Sequence, residues 1–290
     1  MGAAPLPGSW AIRGRSLSLE RPLVMGVLNV TPDSFSDGGL HGAPARALDR
    51  AVEMVEEGAD LLDLGGESTR PGAAPVHPEA EAERVLPVLR LLKARLAVPV
   101  SVDTRRAEVA RAALAEGAEV VNDVSALADP AMGEVVAEAG AGVVLMHMRG
   151  TPQTMQHDPR YGDVAGEVAE ELDAALARAR AAGIPDERIV LDPGIGFAKT
   201  AGHNLELIAR LGELSRLRRP LLLGPSRKSF IGTVLGGIPA EARGPGTAAA
   251  CVVGLLNGAR IFRVHDVRMV RQALDVAEAI RRAAPAPDAP

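Results

Sequence analysis

Residues 23–29 read LVMGVLN, an apolar run that ends abruptly at the polar Asn29. Strands buried on both faces of a parallel sheet have this continuous apolar pattern. Seven further runs repeat it, and a helix-like stretch rich in Ala, Leu, Arg and Glu follows each. They are LLDLGGE (61–67), PVSVD (99–103), VVND (120–123), GVVLMH (142–147), IVLD (189–192), LLLGPS (221–226) and IFRVHD (261–266). Eight strands alternating with helices predict an α/β fold, the (β/α)8 TIM barrel.

The stretches around these runs predict three parts of the chain. Residues 1–21 form an N-terminal segment with a short hairpin at 10–20 that could plug the barrel bottom, 22–283 form the barrel, and 284–290 form a disordered tail. We expect helices at about 43–58, 78–97, 105–116, 130–139, 164–182, 202–217, 228–235 with 246–257, and 267–283.

Composition limits the class of protein. Of 290 residues, 47% are hydrophobic and only 2% are aromatic, so the core must be built from Leu, Val, Ile and Ala. A net charge of −5 with mixed signs gives no reason to expect a nucleic-acid or membrane partner. The single Cys251 excludes a disulfide framework and a cysteine metal cluster. Since no charged segment leads into an apolar signal region and no apolar run has the length of a membrane span, we expect a soluble, cytoplasmic protein.

The residues that close the runs are expected to share one mouth, because the active sites of such barrels lie at the carboxyl ends of the strands. These residues are Asn29, Glu67, Asp103, Asn122, His147, Asp192, Ser226, Arg263 and His265.

One side of the mouth is predicted to bind an anion. Ser226 can cap the next helix, and Arg227 and Lys228 then occupy its first turn, where cations are unfavourable unless an anion is bound. Arg263 and His265 are two residues apart and so lie on one face of the last strand. The alternative is a solvated basic cluster with His265 hydrogen-bonded in the core.

The opposite wall is acidic and amide-bearing. Asp103, Asn122 and Asp192 would accept hydrogen bonds from a planar ring with several N–H donors, since buried carboxylates need partners. The alternative is that these residues cap the following helices. No ligand spacing supports a catalytic zinc site, and a glycosidase acid pair is not indicated. His147 is either a ligand or a packed core histidine.

Two long loops follow the first two strands, NVTPDSFSDGGLHGA (29–43) and GGESTRPGAAPVHP (65–78). Irregular loops of this length are uncommon in compact domains unless they have a function. We interpret them as lids over the mouth.

Eight blocks in order resemble the dihydropteroate synthase family, and the resemblance extends from about residue 22 to 280. They are NVTPDSFSDGG (29–39), GGESTRPG (65–72), SVDT (101–104), VVNDVSA (120–126), MHMRGTPQTMQ (146–156), DPGIGFAKT (192–200), GPSRKSF (224–230) and RVHD (263–266). The resemblance implies a (β/α)8 barrel, an Mg2+-dependent transferase and a homodimer. It also implies that 6-hydroxymethyl-7,8-dihydropterin pyrophosphate condenses with p-aminobenzoate in folate biosynthesis, releasing pyrophosphate, and that sulfonamides bind. Pro225 departs from the family's pattern, since proline has no N–H to donate.

The same resemblance implies roles for individual residues. Pterin binding is implied for Asp103, Asn122, Met146, Asp192, Lys228 and Arg263. Pyrophosphate binding is implied for Asn29, Arg263 and His265, with Asn29 also at the metal. The p-aminobenzoate side is implied for Phe35, Thr69, Arg70, Phe197 and Ser226. The implied catalytic residues are Asp37, Arg70, Lys228 and Arg263.

This chemistry needs no covalent enzyme intermediate. Mg2+ and the cationic cluster Lys228, Arg263 and His265 would stabilise the departing pyrophosphate, and Asp37 would stabilise the cation on the pterin methylene. Two alternatives remain open at this point. A methyltetrahydrofolate-binding domain of a corrinoid methyltransferase shares the barrel but needs neither loop motif, and a non-catalytic pterin-binding paralogue would have lost loop residues such as Asp37 or Arg70.

Overall fold

The computed structural model describes residues 7–31 and 39–283, with only the backbone for 39–43. Its first element is the predicted hairpin, in which β1 (Ser9–Ile12) pairs antiparallel with β2 (Arg15–Ser18). Eight parallel strands follow: β3 (Leu23–Asn29), β4 (Leu61–Gly65), β5 (Val100–Asp103), β6 (Val120–Asp123), β7 (Gly142–Met146), β8 (Ile189–Asp192), β9 (Leu222–Leu223) and β10 (Ile261–Val264). The tail 284–290 lies outside the described residues.

Helices alternate with these strands, as the sequence predicts. They are α1 (Gly39–Glu56), α2 (Pro78–Arg95), α3 (Ala107–Ala115), α4 (Met132–Ala139), α5 (Val164–Ala181), α6 (Ala201–Ala209), α7 (Ser229–Val234), α8 (Gly244–Leu256) and α9 (Val267–Ala283). The region 202–217, predicted as one helix, is α6 followed by a 3-10 segment, Leu211–Leu217. In the described part of the chain, none of the helices is long and apolar enough to span a bilayer.

The sheet curls into a nearly closed barrel. The strand order is β8-β7-β6-β5-β4-β3-β10-β9, and a parallel bridge between Leu191 and Leu221 joins the two outer strands. The predicted (β/α)8 fold is therefore confirmed. Parallel strands place their carboxyl ends at one edge, so the residues that end them meet in one mouth.

The alternation of side chains along each strand separates an apolar bottom from a polar mouth. Leu61, Val120, Val190 and Ile261 belong to an apolar cluster inside the lower barrel, where Trp10 of the hairpin also packs. Two residues further along the same strands, and therefore on the same inner face, polar residues replace them. These are Asp63, Asn122, Asp192 and Arg263.

The hairpin covers the bottom of the barrel. The indole Nε1 of Trp10 donates to the carbonyl of Arg188 at 2.9 Å, next to the start of β8. Ile12 and Trp10 lie so close to Gly142, at the start of β7, that a Cβ there would lie 2.8 and 3.2 Å from them. The open end of the barrel is therefore the one formed by the carboxyl ends of the strands.

Candidate active site

Arg263 lies between two carboxylates of neighbouring strands. Its Nε donates to Oδ2 of Asp63 at 2.6 Å, and its Nη2 donates to Oδ2 of Asp103 at 2.6 Å. Asn122 joins the same group, since its Nδ2 donates to Oδ2 of Asp63 at 3.0 Å. The sequence predicted basic and acidic residues on opposite sides of the mouth. In the structure the two groups are in direct contact, because Arg263 donates to both Asp63 and Asp103.

The sequence prediction missed Asp63 because it considered only the residues that close each apolar run. Asp63 lies inside the run LLDLGGE and is fully buried. An available signal was its position two residues after Leu61, which directs it to the inner face of the strand. A carboxylate there requires a partner, and Arg263 provides it.

Asp192 ends β8 and faces the same chamber. Its Oδ1 accepts the backbone N–H of Gly194 at 2.7 Å. Burial raises the pKa of Asp192 to about 6, against the opposing effects of the Gly194 N–H and of the cations Lys228 and Arg263. A Cβ at Gly224 would lie 3.8 Å from the Arg263 Cβ and 3.9 Å from Oδ2 of Asp192. The glycine keeps these two side chains next to one open space.

Asp103 has one oxygen committed and one free. Its Oδ2 accepts from Arg263, while its buried Oδ1 has no hydrogen-bond partner among the described residues. Burial raises the pKa of Asp103 and the nearby carboxylate of Asp63 adds to the rise, whereas Arg263 opposes it. An unpaired buried acceptor of this kind calls for a ligand N–H.

Lys228 is the second cation of the chamber. Loss of hydration there lowers its pKa to about 8, as does the nearby charge of Arg263, while Asp192 and Asp103 raise it. The aliphatic stem of Lys228 passes Gly196 so closely that a Cβ there would lie 2.7 Å from its Cδ. Its ammonium is therefore held in the mouth next to the buried carboxylates.

An apolar cluster forms the side wall next to Lys228. Met146 and Phe197 are buried in it together with Val124, Met155 and Ala198. The ammonium of Lys228 lies 4.0 Å from the centre of the Phe197 ring. Met146 pairs in register with Asp192, so the predicted pterin residues of β7 and β8 are neighbours.

Ser226 and His265 form a hydrogen-bonded pair, with Ser226 Oγ 2.9 Å from His265 Nδ1. The predicted helix cap is therefore wrong: Ser226 Oγ also accepts the backbone N–H of His265 at 3.1 Å. Burial and the cations Arg263 and Arg227 lower the pKa of His265 to about 3. This environment favours the neutral ring, in contrast to the cationic His265 that the sequence suggested.

Arg227 does not face the mouth as the sequence predicted. Its Nε donates to Oδ2 of Asp266 at 3.0 Å, and its φ of 57° belongs to a tight turn rather than to a helix. Helix α7 begins at Ser229, with Lys228 as its N-cap. Of the two adjacent basic residues, Lys228 reaches into the chamber, whereas Arg227 is paired with Asp266 and acts there only through its charge, which helps to lower the pKa of His265.

Glu67 and His147 were expected in the mouth, but both are engaged elsewhere. Glu67 is bonded to Arg106 at 2.8 and 3.0 Å and accepts the N–H of Val76 at 2.9 Å. Burial tends to raise the pKa of Glu67, but hydrogen bonds from Arg106 and Arg105 lower it to about 2. This ion pair ties together the two ends of the second loop.

The sequence left His147 as either a ligand or a packed core histidine, and in the structure it is the packed histidine. Its Nε2 lies 3.0 Å from Oε2 of Glu171 on α5, and its Nδ1 lies 2.9 Å from Nζ of Lys199. Lys199 is buried, which lowers its pKa to about 7, and it donates to the carbonyls of Gly194 and Phe197 at 3.1 and 3.0 Å. The pair supports the segment that carries Phe197.

The second loop holds Thr69 and Arg70 at the edge of the mouth. Thr69 is half-buried and Arg70 is exposed. The N–H of Gly72 donates to the carbonyl of Pro152 at 3.0 Å, so this loop contacts the loop after β7. The charge of Arg70 contributes to the lowered pKa of Lys228, which places the two cations within electrostatic range. Phe35 and Asp37 of the first loop lie outside the described residues.

Asn29 ends β3 beside the chamber. A Cβ at Gly65 would lie 3.4 Å from Oδ1 of Asn29 and 3.8 Å from Oδ2 of Asp103. The glycine leaves both oxygens facing a shared space. Among the residues that the structure describes, no group of three or more His, Cys, Asp or Glu could hold a metal ion.

Comparison with known proteins agrees with this geometry. Residues 25–265 match the family described as pterin binding enzyme. The chain is 49% identical over 264 residues to the dihydropteroate synthase of Synechocystis sp., covering 91% of each protein. It is 48% identical over 267 residues to the Escherichia coli dihydropteroate synthase, covering 92% of this chain and 94% of the relative.

Solved structures give the same result. The Yersinia pestis dihydropteroate synthase with a sulfonamide drug complex has a TM-score of 0.90 and 45% identity, and the match covers 95% of this chain and 100% of that one. The Xanthomonas albilineans dihydropteroate synthase with 4-aminobenzoic acid has a TM-score of 0.90 and 46% identity, covering 96% and 99%. The chain belongs to the dihydropteroate synthase family of pterin-binding enzymes, which are transferases.

Proposed function

We propose that the mouth of this barrel joins 6-hydroxymethyl-7,8-dihydropterin pyrophosphate to p-aminobenzoate, forming 7,8-dihydropteroate and releasing pyrophosphate, a step of folate biosynthesis. The observation that carries this proposal is the bonded cluster of Arg263, Asp63, Asp103 and Asn122, which places ring acceptors beside a buried cation. Solved Xanthomonas albilineans relatives contain 4-aminobenzoic acid and 7,8-dihydropteroate, the second at 40% identity.

The pterin ring is assigned to the deep part of the chamber. Oδ1 of Asp103, the carboxylate of Asp192 and the amide oxygen of Asn122 accept its N–H groups, and Met146 covers an apolar edge. The free acceptor of Asp103 supports this assignment, since a buried oxygen without a partner is costly until a donor binds.

The pyrophosphate is assigned to the side of the chamber that carries the cations. When the bond between the pterin methylene and the pyrophosphate oxygen breaks, the electron pair leaves with the oxygen. Lys228 and Arg263 then face the developing negative charge, and His265 adds a hydrogen bond from a neutral ring. Fixed cations in a site shielded from water stabilise such charge strongly.

Magnesium fits this site only together with the substrate. Asn29 supplies a hard oxygen, and Mg2+ commonly binds through one or two protein oxygens plus phosphate oxygens and water. The described residues offer no complete protein cage, in keeping with that mode. When bound, Mg2+ would supply Lewis-acid stabilisation of the leaving group.

The aminobenzoate is assigned to the outer part of the mouth. Phe197 and Ser226 are assigned to its barrel side and Thr69 and Arg70 to its second-loop side, while Phe35, which lies outside the described residues, is the expected contact from the first loop. The amine nitrogen attacks the pterin methylene as the bond to pyrophosphate breaks, a C–N bond forms, and the nitrogen loses a proton to the released pyrophosphate or to water. Asp37 on the first loop is assigned to the positive charge on that methylene, and loop closure would exclude water.

A homodimer is part of the proposal and is supported by one apolar face. Leu205, Val234, Leu235 and Val253, on α6, α8 and the end of α7, are 44–60% exposed and line a common groove. Contiguous exposed apolar residues of this kind mark interaction surfaces. Val234→Glu combined with Val253→Glu should give a monomer in sedimentation experiments.

A cytoplasmic location is also part of the proposal, since the substrates are small polar metabolites.

Pyrophosphate release tests the function directly. We expect release only when pterin pyrophosphate, p-aminobenzoate and Mg2+ are all present, with dihydropteroate formed in equal amount. Pterin binding without release would favour the non-catalytic paralogue. Methyl transfer from methyltetrahydrofolate to a cobalamin, without pyrophosphate release, would favour the corrinoid alternative.

A further inference from the structure

Asp63 connects two residues of the pterin pocket through a single oxygen. Its Oδ2 accepts from Nε of Arg263 at 2.6 Å and from Nδ2 of Asn122 at 3.0 Å. Its Oδ1 is buried and has no hydrogen-bond partner among the described residues. Asp63 itself is fully buried below these two side chains, so it acts on a ligand through them.

The contact with Asn122 determines which end of the amide is available to a ligand. An asparagine side chain can present either an oxygen that accepts or a nitrogen that donates. The Asp63 oxygen that accepts from Arg263 also accepts from Asn122, so Asp63 faces Nδ2 of that amide. The amide oxygen of Asn122 is then left as an acceptor, in addition to the carboxylates of Asp103 and Asp192.

The contact with Arg263 fixes the plane of the guanidinium. Asp63 holds Nε and Asp103 holds Nη2, so the planar group is fastened at two points on neighbouring strands. Only Nη1 of Arg263 has no carboxylate partner in the described structure, and it remains for the ring or for the pyrophosphate.

We infer that Asp63 is a positioning residue that completes a pattern of acceptors in the pterin pocket by orienting Asn122, and that fixes Arg263 as a donor beside them. The ligand that this pattern selects is a planar ring with several adjacent N–H donors. The inference rests on the proposed function, because it assigns the specificity of the same site.

Three variants test the polarity of this network. Asp63→Leu removes every acceptor but keeps the branched shape of the side chain in a bulkier form, and the dissociation constant for 6-hydroxymethylpterin should rise roughly a hundredfold because two buried donors lose a charged partner. Asn122→Asp brings two carboxylates together and should also weaken binding. Combining Asn122→Asp with Asp63→Asn reverses the bond, so that the new amide donates to the new carboxylate and an acceptor again faces the ligand. This double variant should bind at least tenfold tighter than Asn122→Asp alone.

Asp60→Asn is the matched control. Asp60 immediately precedes the same strand, and its Oδ2 accepts from Val24 N–H at 2.8 Å and lies 3.3 Å from Nη1 of Arg271, but at the barrel bottom. We expect its pterin affinity and the KM for p-aminobenzoate to stay within about twofold of the wild type, whatever it loses in thermal stability.

The result that overturns the inference is equally specific. If the double variant binds no better than Asn122→Asp, or if Asp60→Asn weakens pterin binding as much as Asp63→Leu does, Asp63 has only a structural role. Failure of the proposed function would look different, because wild-type protein would then release no pyrophosphate.

Discussion

The ammonium nitrogen of Lys228 lies 4.0 Å from the centre of the Phe197 ring, so a residue predicted for the pterin contacts one predicted for p-aminobenzoate. A cation over an aromatic face is attracted by the negative potential of the ring. Lys199 holds the segment beneath, since its ammonium donates to the carbonyl of Phe197. Lys228 therefore lies on the boundary between the two proposed subsites.

Lys228→Ala should weaken pterin binding more than p-aminobenzoate binding. The substitution removes a charge-assisted contact, which typically costs roughly 1.5–3 kcal/mol, or roughly ten- to a hundredfold in affinity. Calorimetry with 6-hydroxymethylpterin measures the effect. Arg227→Ala is the control, because its guanidinium is paired with Asp266 rather than with the chamber. An unchanged pterin affinity in Lys228→Ala would remove the residue from the site.

The pH profile of pterin affinity should be bell-shaped, with apparent pKa values of about 6 on the acid side and about 8 on the basic side. Below about 6, Asp192 takes up a proton, because burial raises its pKa to about 6, and it then presents an O–H to ring donors. Above about 8, Lys228 loses its charge, because lost hydration lowers its pKa to about 8. Affinity therefore falls as pH drops through the first value and as it rises through the second.

A phosphate-free pterin is the right ligand for this titration, since pyrophosphate ionises in the same range. Asp192→Asn should bind weakly at every pH, because its amide offers one acceptor and places N–H groups against ring donors. The part of the acid limb that belongs to Asp192 should also disappear, while Asp103, whose pKa burial raises as well, still titrates. An acid limb that is unchanged in Asp192→Asn would assign the titration to Asp103 or to another group.

Arg70→Ala and Asp37→Ala should each lower kcat strongly while leaving affinity for pterin pyrophosphate nearly unchanged. Arg70 is exposed on the second loop, away from the deep acceptors. Asp37, in the first loop, is expected to act on the cation that forms during reaction. Interactions made only in the transition state affect turnover and not ground-state binding. A collapse in pterin affinity with normal kcat would instead place either residue in the pocket.

Sulfonamides should compete with p-aminobenzoate and bind well only when pyrophosphate and Mg2+ are present. The reason is that Thr69 and Arg70 of the second loop are assigned to the outer subsite, and both loops are expected to close over the anion. Calorimetric titrations with and without pyrophosphate and Mg2+ measure the difference. Equally tight binding to the free protein would contradict this order.

The apolar periodicity alone determined the fold and most of the mouth. Short apolar runs that each precede a helical stretch indicate buried parallel strands, and parallel strands bring Asp103, Asn122, Asp192 and Arg263 to one edge whatever the details of packing. The hairpin at the N-terminus was equally local, since it depends on a turn at Arg13 and Gly14 between two short strands. Such features need only neighbouring residues in the chain.

Pairing between distant residues was decided by the tertiary structure. Asp63 and Arg263 are 200 positions apart, and no local pattern relates them. For the same reason Ser226 bonds His265 instead of capping a helix, Arg227 pairs with Asp266, and the burial that makes His265 neutral could not be foreseen. Periodicity specifies which face of a strand a side chain occupies. Its hydrogen-bond partner and its pKa depend on which other strands and loops the closed barrel brings beside it.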